Sequence, residues 1–224
     1  MRALFATTYS EGTSRRWRTC ISVLLTRRVG RGLLLAGLLW APLSSAPAAE
    51  YHVDTAAANQ VRFISDAPIE DFDGKTRHID GYVYWKGDSL AIGSDYLESD
   101  VYFEVELDLL DTGIRLRNRH MRENYLETEK FPYAFYRGRI TAVEALPSGG
   151  WRVASKGKLG IHGVEKEFTI QCDLSDYGTG YRVKSAFQVQ LPDFHIKVPS
   201  LMFMKISETI NLELDFYVRQ AETK

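Results

Sequence analysis

Strict alternation of apolar and polar residues dominates this chain and leaves few folds open to it. In VYFEVELDL (101–109), apolar side chains occupy every second position and polar ones lie between them. The same period of two runs through WRVASKGKLGI (151–161), YRVKSAFQVQL (181–191) and TINLELDFYV (209–218). Successive side chains of a β-strand point to opposite faces, so each segment is predicted to be a strand with one buried and one solvated face.

Turn-forming sequences separate these segments at the spacing of β-hairpins. They include Asp73-Gly74, Lys86-Gly87-Asp88, Pro147-Ser148-Gly149-Gly150, His162-Gly163 and Tyr177-Gly178-Thr179-Gly180. Further strands fit at 60–66, 68–74, 78–86, 131–145 and 165–175, which gives about eight or nine. Consecutive antiparallel strands must dispose of their edges, and closure removes edges directly. The sequence therefore predicts one all-β domain, an up-and-down antiparallel barrel.

The first 48 residues are predicted to be a secretory signal peptide. Three arginines between positions 27 and 31 precede the apolar run RGLLLAGLLWAPL, and Ala46 and Ala48 are the small residues that a signal peptidase recognises. The apolar run is too short to span a bilayer. We therefore expect cleavage near Ala48, export of residues 49–224 as one domain, and no membrane-spanning segment. The pair Arg15-Arg16 lies far from the apolar core, which favours the Sec route over the twin-arginine route.

The charge of the exported part excludes nucleic acid as a partner. Residues 1–49 contain seven of the 28 basic residues and one of the 29 acidic ones, so the remainder has a net charge of about −7. Affinity for phosphate backbones comes mainly from basic side chains. Of the two cysteines, only Cys172 lies outside the signal peptide, and an internal disulfide is therefore impossible.

No pattern in the sequence predicts catalysis, a metal site or a cofactor. The five histidines are far apart, and none belongs to a metal-binding motif: His52, His78, His120, His162 and His195. Cys172 alternates with Phe168 and Ile170, which predicts a buried thiol and not a nucleophile. We expect His162 to be a solvated turn residue. The acidic run 70–74 lacks the spacing of a calcium loop and is explained by a strand that ends in a turn.

Phenylalanines recur on the faces predicted to point inward: Phe63, Phe103, Phe135, Phe168, Phe187 and Phe216. An eight-stranded barrel can be filled by such side chains or can enclose one elongated apolar ligand. Periodicity does not distinguish these alternatives, because side-chain volume does not reveal the radius of the barrel.

One segment, RNRHMRENYLETEKFP (117–132), breaks the alternation. A helical wheel places Ile114, Met121 and Tyr125 on one narrow stripe, which predicts a short amphipathic α-helix at about 114–128 that packs on the barrel. Asp111-Thr112 can cap its start, and Phe131-Pro132 ends it. The arginines cluster on another face, which suggests either an anionic partner or, as is common on acidic proteins, a solvated surface; we favour the solvated surface.

This segment and three others resemble the YceI-like family. DTGIRLRNRHMRENYLETEKFPYAFYRGRI is similar to the family's signature, in which a strand ending in D-T leads into R-(D/N)-x-H-(M/L)-R and then (F/Y)-P-x-x-x-F. YHVDTAAANQVRF, KGKLGIHGVEKEFTI and LPDFHIKVP resemble its opening strand, a hairpin and a late turn. The resemblance runs from Tyr51 to Val218. It departs from the family in FISDAPIEDFDGKTRHIDGYVYW, which lacks the usual histidine, and in the apolar connection LMFMKI (201–206).

The resemblance implies a lipocalin-like barrel of about eight strands, located in the periplasm, that holds a long polyisoprenoid such as a quinone tail. The inward-facing residues would then line a tunnel: Phe63, Phe103, Val105, Met121, Tyr125, Phe135, Phe168, Phe187, Val189, Leu212 and Leu214. Arg117 and His120 are candidate contacts for a lipid head group. The resemblance also makes a homodimer through an exposed sheet face plausible.

Three hypotheses follow for the function. The leading one is an exported, non-enzymatic protein that binds a polyisoprenoid or a similar amphiphilic lipid. The alternative is an exported structural or stress-related interaction protein whose barrel is packed and holds no ligand. A third is an enzyme on the same scaffold, for which only His120 and Arg117 offer candidate polar groups.

Overall fold

The computed structural model describes residues 48–65, 72–86, 90, 98–198, 200–201, 204–205 and 207–221. The predicted signal peptide lies outside the described residues up to position 47, as do Gly87-Asp88, the acidic residues at 70 and 71, and half of the LMFMKI connection. No described helix is long and apolar enough to cross a membrane.

Strands account for most of the described structure, as the alternating sequence predicts. They are β1 (Ala48–Val53), β2 (Gln60–Ser65), β3 (Phe72–Thr76), β4 (Ile79–Lys86), β5 (Asp100–Glu106), β6 (Tyr133–Ala145), β7 (Trp151–Ile161), β8 (Val164–Tyr177), β9 (Gly180–Gln190), β10 (Ser200–Leu201), β11 (Met204–Lys205) and β12 (Thr209–Gln220).

Eight antiparallel strands close into one barrel. The ring runs β1, β4, β5, β6, β7, β8, β9 and β12, and β12 closes it by pairing with β1. β2 continues the line of β1 along β12, and β3 pairs with β2 as β4 pairs with β1. β1 and β2 therefore form one long, interrupted strand, and β3 and β4 form another. The predicted up-and-down, lipocalin-like barrel of about eight strands is confirmed.

The strand predicted at 101–109 is too long. β5 ends at Glu106, and Leu107–Leu109 forms a 3₁₀ turn that leads away from the sheet. Alternation continues through this turn, so the pattern alone did not reveal where pairing stops. Leu109 is consequently 37% exposed instead of buried.

The predicted helix is shorter than expected and is not purely α-helical. An α-helix, α1 (Arg115–His120), continues as a π-helical turn over Met121–Tyr125. Its N-cap is Ile114, and no side chain caps it. The predicted capping by Asp111-Thr112 is therefore wrong, because Thr112 bonds to Asn118 in the next turn and Asp111 bonds to Gly113 and Asn118.

The two ends of the barrel differ in how they are filled. We call the end where β12 begins, near Thr209, the helix end, and the end where it finishes, near Gln220, the far end. Buried side chains fill the far half: Tyr51, Val53, Trp85, Val101, Ile140, Val143, Val153, Leu174, Val183, Phe216 and Val218. The Tyr51 and Trp85 rings stack there, with centroids 4.7 Å apart. The other half encloses open space.

Candidate functional site

A cavity of about 500 Å³ occupies the helix end of the barrel. Its walls are almost entirely apolar side chains, contributed by strands on all sides and by the α1 segment. Volumes of this size are typical of sites for small molecules. Because water gains few hydrogen bonds in such surroundings, the cavity favours an apolar occupant.

Phe103 forms the floor of the cavity and rests on Phe216. The two rings meet edge to face, with centroids 5.1 Å apart. Phe216 is 3% exposed and belongs to the packed far half. Gly81 makes room for Phe103, since a Cβ at Gly81 would collide with the Tyr102 carbonyl and the Phe103 Cα. The cavity is therefore blind at this end.

One polar pair lies at the boundary between the cavity and the packed half. The Tyr136 hydroxyl is 2.9 Å from Ser155 Oγ, which donates to the Arg139 carbonyl at 3.0 Å. Burial raises the pKa of Tyr136 above its ordinary value, so its hydroxyl keeps its proton. Each hydroxyl has a partner, and the pair therefore adds no unsatisfied polar group to the wall.

The cavity reaches solvent beside α1. Ile114 and Leu116 line it, yet they are 50% and 54% exposed, which places them at its rim. Met121 and Tyr125 lie deeper on the same segment and are half-buried. The apolar stripe predicted from the helical wheel thus covers the opening of the barrel.

Comparison with known proteins agrees with this geometry. A family model of the YceI-like domain matches residues 51–218, three quarters of the chain. The chain belongs to the YceI-like domain family. The resemblance seen in the sequence is therefore confirmed. A search of curated proteins gave no match.

Solved structures that are similar to the YceI-like barrel described above include the following two. BcnA from Burkholderia cenocepacia is 13% identical, and the alignment covers 74% of this chain and 98% of that one, with a TM-score of 0.57. A polyisoprenoid binding domain from Saccharophagus degradans, implicated in plant cell wall breakdown, is 16% identical; the alignment covers 76% of this chain and 98% of that one, with a TM-score of 0.54. At these identities the likeness shows a common fold.

Most residues that the YceI-like resemblance places in the tunnel border the cavity. They are Phe63, Phe103, Val105, Met121, Tyr125, Phe135, Phe187, Val189, Leu212 and Leu214. Phe168 does not; its ring contacts Phe187, with centroids 5.3 Å apart. Phe135 borders the wall, but its register opposite Glu104 puts it on the outer face, where it stacks on Tyr102. Its neighbour Tyr136 is the inward aromatic residue of β6.

The sequence reasoning missed several wall residues, and their positions explain why. Phe72, Leu110, Phe194 and Ile196 line the cavity from strand ends and turns, where no period marks an inward face. Phe194 belongs to the LPDFHIKVP segment, whose resemblance to the family's late turn is the signal that could have identified it.

The two candidate head-group residues lie on the cavity wall near its mouth. Arg117 donates from Nε to Thr112 Oγ1 (3.0 Å) and from an Nη to the Thr112 carbonyl (2.9 Å). Its guanidinium also lies 4.8 Å from the centre of the Phe72 ring. His120 is exposed and borders the same space. Among the residues that line the cavity, Arg117 and His120 are the ones with basic side chains.

Two further predictions concern residues outside the cavity. Cys172 packs against the core but stays partly exposed, and burial of its thiol raises its pKa to about 12. His162 lies in a turn but is not solvated, since its side chain is only 14% exposed. Its ring packs on Phe131, and Nδ1 is 3.2 Å from the Phe194 carbonyl. Among the described residues, no cluster of three or more His, Cys, Asp or Glu could hold a metal ion.

Proposed function

We propose that this chain is an exported, non-enzymatic carrier that binds a polyisoprenoid or a similar amphiphilic lipid in its barrel. The observation that carries the proposal is the blind, apolar cavity of about 500 Å³ that opens beside α1. A hydrocarbon chain buried there gains roughly 25 cal/mol per Å² of apolar surface removed from water. Ordering a flexible chain offsets part of that gain.

The shape of the cavity gives the ligand a direction. Its tail would enter beside Ile114 and Leu116 and end against Phe103, while a polar head would stay at the mouth near Arg117 and His120. Arg117 uses two of its N–H groups on Thr112, and a guanidinium has five. The remaining donors suit an anionic or carbonyl-bearing head group, such as a phosphate or a quinone ring.

The remaining parts of the proposal concern the protein's setting. Membership of the YceI-like family and the signal-like N-terminus support export to the periplasm, with cleavage near Ala48. The lipid would be the only bound group, without a separate cofactor. A homodimer through an outer sheet face is part of the same proposal, and the mass of the exported protein in solution tests it.

The alternative of a packed barrel without a ligand is disfavoured by the cavity itself. The cavity wall also disfavours an enzymatic function. Tyr136 is hydrogen-bonded to Ser155, and Arg117 is hydrogen-bonded to Thr112. His120 is then left without a second polar group with which it could carry out a proton transfer.

The decisive experiment combines extraction with reconstitution. The exported protein, purified from a Gram-negative periplasm, is extracted with organic solvent, and the extract is analysed by mass spectrometry. We expect a prenyl lipid in near-stoichiometric amount. Stripped protein should then bind prenyl alcohols of increasing length, measured by displacement of a fluorescent fatty probe.

A matched variant pair makes the result specific to the cavity. Leu212→Asp introduces a charge into the cavity wall and should abolish binding. Asn211→Asp, one residue earlier on β12 and paired with Gln188 on the outer face, should leave it unchanged. Absence of any extracted lipid, together with no binding of any prenyl alcohol by folded protein, would disprove the proposal.

A further inference from the structure

Exposed apolar side chains lie at the helix end of the barrel, where the cavity opens. Five large apolar residues are exposed among the described residues, and four of them lie at the helix end: Leu109 (37%), Ile114 (50%), Leu116 (54%) and Tyr133 (45%). The fifth, Tyr177, lies at the far end. Single exposed apolar residues are ordinary, but a group gathered around one opening marks an interaction surface.

These four residues come from segments that are tied together. Arg122, in the turn that continues α1, donates to the Leu110 carbonyl (3.1 Å) and lies 3.6 Å from Asp108. The Leu107 amide donates to the Pro132 carbonyl (2.9 Å), which joins the turn containing Leu109 to the start of β6 and Tyr133. The exposed side chains are thus presented on a fixed framework at one end of the barrel.

The charges around this end differ from those of the rest of the chain. Residues 50–224 are acidic overall, but no acidic residue occurs between Thr112 and Arg122. Arg115 and Arg119 are exposed on successive turns of the same helix face, next to Leu116. The nearby acids are partly neutralised, since Asp108 faces Arg122 and Glu127 pairs with Lys130 at 3.1 Å. Asp111, Glu123 and Glu129 are exposed at this end as well, and Glu123 and Glu129 line the same surface concavity as Arg115 and Arg119. The arginines therefore offset the acids here instead of forming a separate basic patch.

We propose that the helix end is a docking surface for a bilayer that contains anionic phospholipid. Leu109, Ile114, Leu116 and Tyr133 would enter the interface, and Arg115 and Arg119 would meet the head groups. Ile114 and Leu116 line the cavity as well as the surface. A lipid tail could therefore pass between bilayer and cavity without crossing water. The inference rests on the proposed lipid ligand, since a barrel that held none would have no reason to dock by its mouth.

Vesicle flotation tests the docking surface separately from ligand binding. The exported protein is mixed with vesicles of phosphatidylethanolamine and phosphatidylglycerol, or of phosphatidylcholine alone. We expect flotation with the anionic vesicles, and a much smaller bound fraction with phosphatidylcholine. Leu109→Ser combined with Tyr133→Ser should lower the apparent vesicle affinity about tenfold, because both residues lose their apolar contacts with the bilayer. Neither residue lines the cavity, so binding of a short prenyl alcohol should persist.

Two further variants complete the test. Arg115→Glu combined with Arg119→Glu should weaken flotation with anionic vesicles, and added salt should weaken flotation of the wild type. Tyr177→Ser, at the far end, should float like the wild type. Failure of the wild type to float while it binds prenyl alcohols would overturn the docking proposal and leave the proposed function intact. Equal losses from Tyr177→Ser and from the Leu109 and Tyr133 pair would also overturn it. If no prenyl alcohol binds, the proposed function fails instead.

Discussion

At the floor of the cavity, Phe103 and Phe216 meet edge to face, and the packed half of the barrel begins directly beneath them. Their contact sets the depth to which a ligand can enter. A chain longer than the cavity would leave its last carbons in water, where they gain nothing from burial. Affinity should therefore rise with chain length and then level off.

Phe216→Ala should move that limit to longer chains. Removing the ring opens space below Phe103, so the plateau in a series of prenyl alcohols should shift by about one isoprene unit. The same change should lower the free energy of unfolding by about 3–5 kcal/mol, since Phe216 is fully buried. Displacement titrations and urea unfolding measure the two effects. Phe131→Ala is the control, because Phe131 does not line the cavity. An unchanged plateau in folded Phe216→Ala would contradict the assignment of this contact as the floor of the cavity.

Cys172 gives a second prediction at this scale. Burial raises its pKa to about 12, against about 8.5 for a free thiol, so at pH 8 very little reactive thiolate exists. Iodoacetamide should therefore modify the native exported protein about a thousandfold more slowly than the protein unfolded in urea. Mass spectrometry over time measures both rates. Rapid modification of the native protein would show that the core around Cys172 opens readily.

At the scale of elements, the junction before α1 is held by side chains and not by a helix cap. Asn118 Oδ1 accepts from the Thr112 amide (2.8 Å) and hydroxyl (2.6 Å), and its Nδ2 donates to Asp111 Oδ1 (2.7 Å). Arg117 adds two bonds to Thr112. This network fixes α1 beside the cavity mouth. Hydrogen bonds from Asn118 and from the Gly113 amide lower the pKa of Asp111.

Asn118→Ala should loosen this element selectively. It leaves Thr112, which is almost buried, without its acceptor, at a cost of about 1–3 kcal/mol. The amides of 115–125 should lose protection from hydrogen exchange, while those of β6 and β7 keep theirs. Asn124→Ala, exposed on the same segment, is the matched control. Equal protection in both variants would contradict the role given to Asn118.

The elements also show how far the sequence could be interpreted. Period-two alternation predicted β7 at its observed bounds and β9 and β12 to within two residues, because both faces of those strands have clear and different surroundings. In YAFYRGRI, two neighbouring aromatics allow either phase, and only the pairing of Phe103 with Tyr136 decides it. Periodicity could not predict the cavity either, and only the family resemblance implied it, since the open space depends on packing in the far half and on turn residues such as Leu110 and Phe194.

For the whole molecule, ion pairs between neighbouring strands fasten the outer face of the barrel. Arg182 on β9 binds Asp215 on β12 through two hydrogen bonds, of 2.7 and 2.6 Å. Arg152 and Asp173 join β7 to β8 in the same way, and Arg62 and Asp73 join β2 to β3. In each pair the arginine's hydrogen bonds lower the pKa of the carboxyl group.

These lowered pKa values predict that the barrel loses stability in acid. A carboxyl group whose pKa is lower in the folded than in the unfolded chain stabilises the fold above its unfolded pKa of about 4, and this contribution disappears as the pH falls through the folded pKa. The urea midpoint should therefore be flat from about pH 7 to pH 5 and decrease below about pH 4. Asp215→Asn should be less stable than the wild type at neutral pH, because it lacks the ion pair with Arg182. In acid the wild type loses this ion pair as well, so the two stabilities should converge. Asp176→Asn, exposed near the end of β8, is the control. A wild-type midpoint that stays constant down to about pH 2 would show that these pairs do not stabilise the closed barrel.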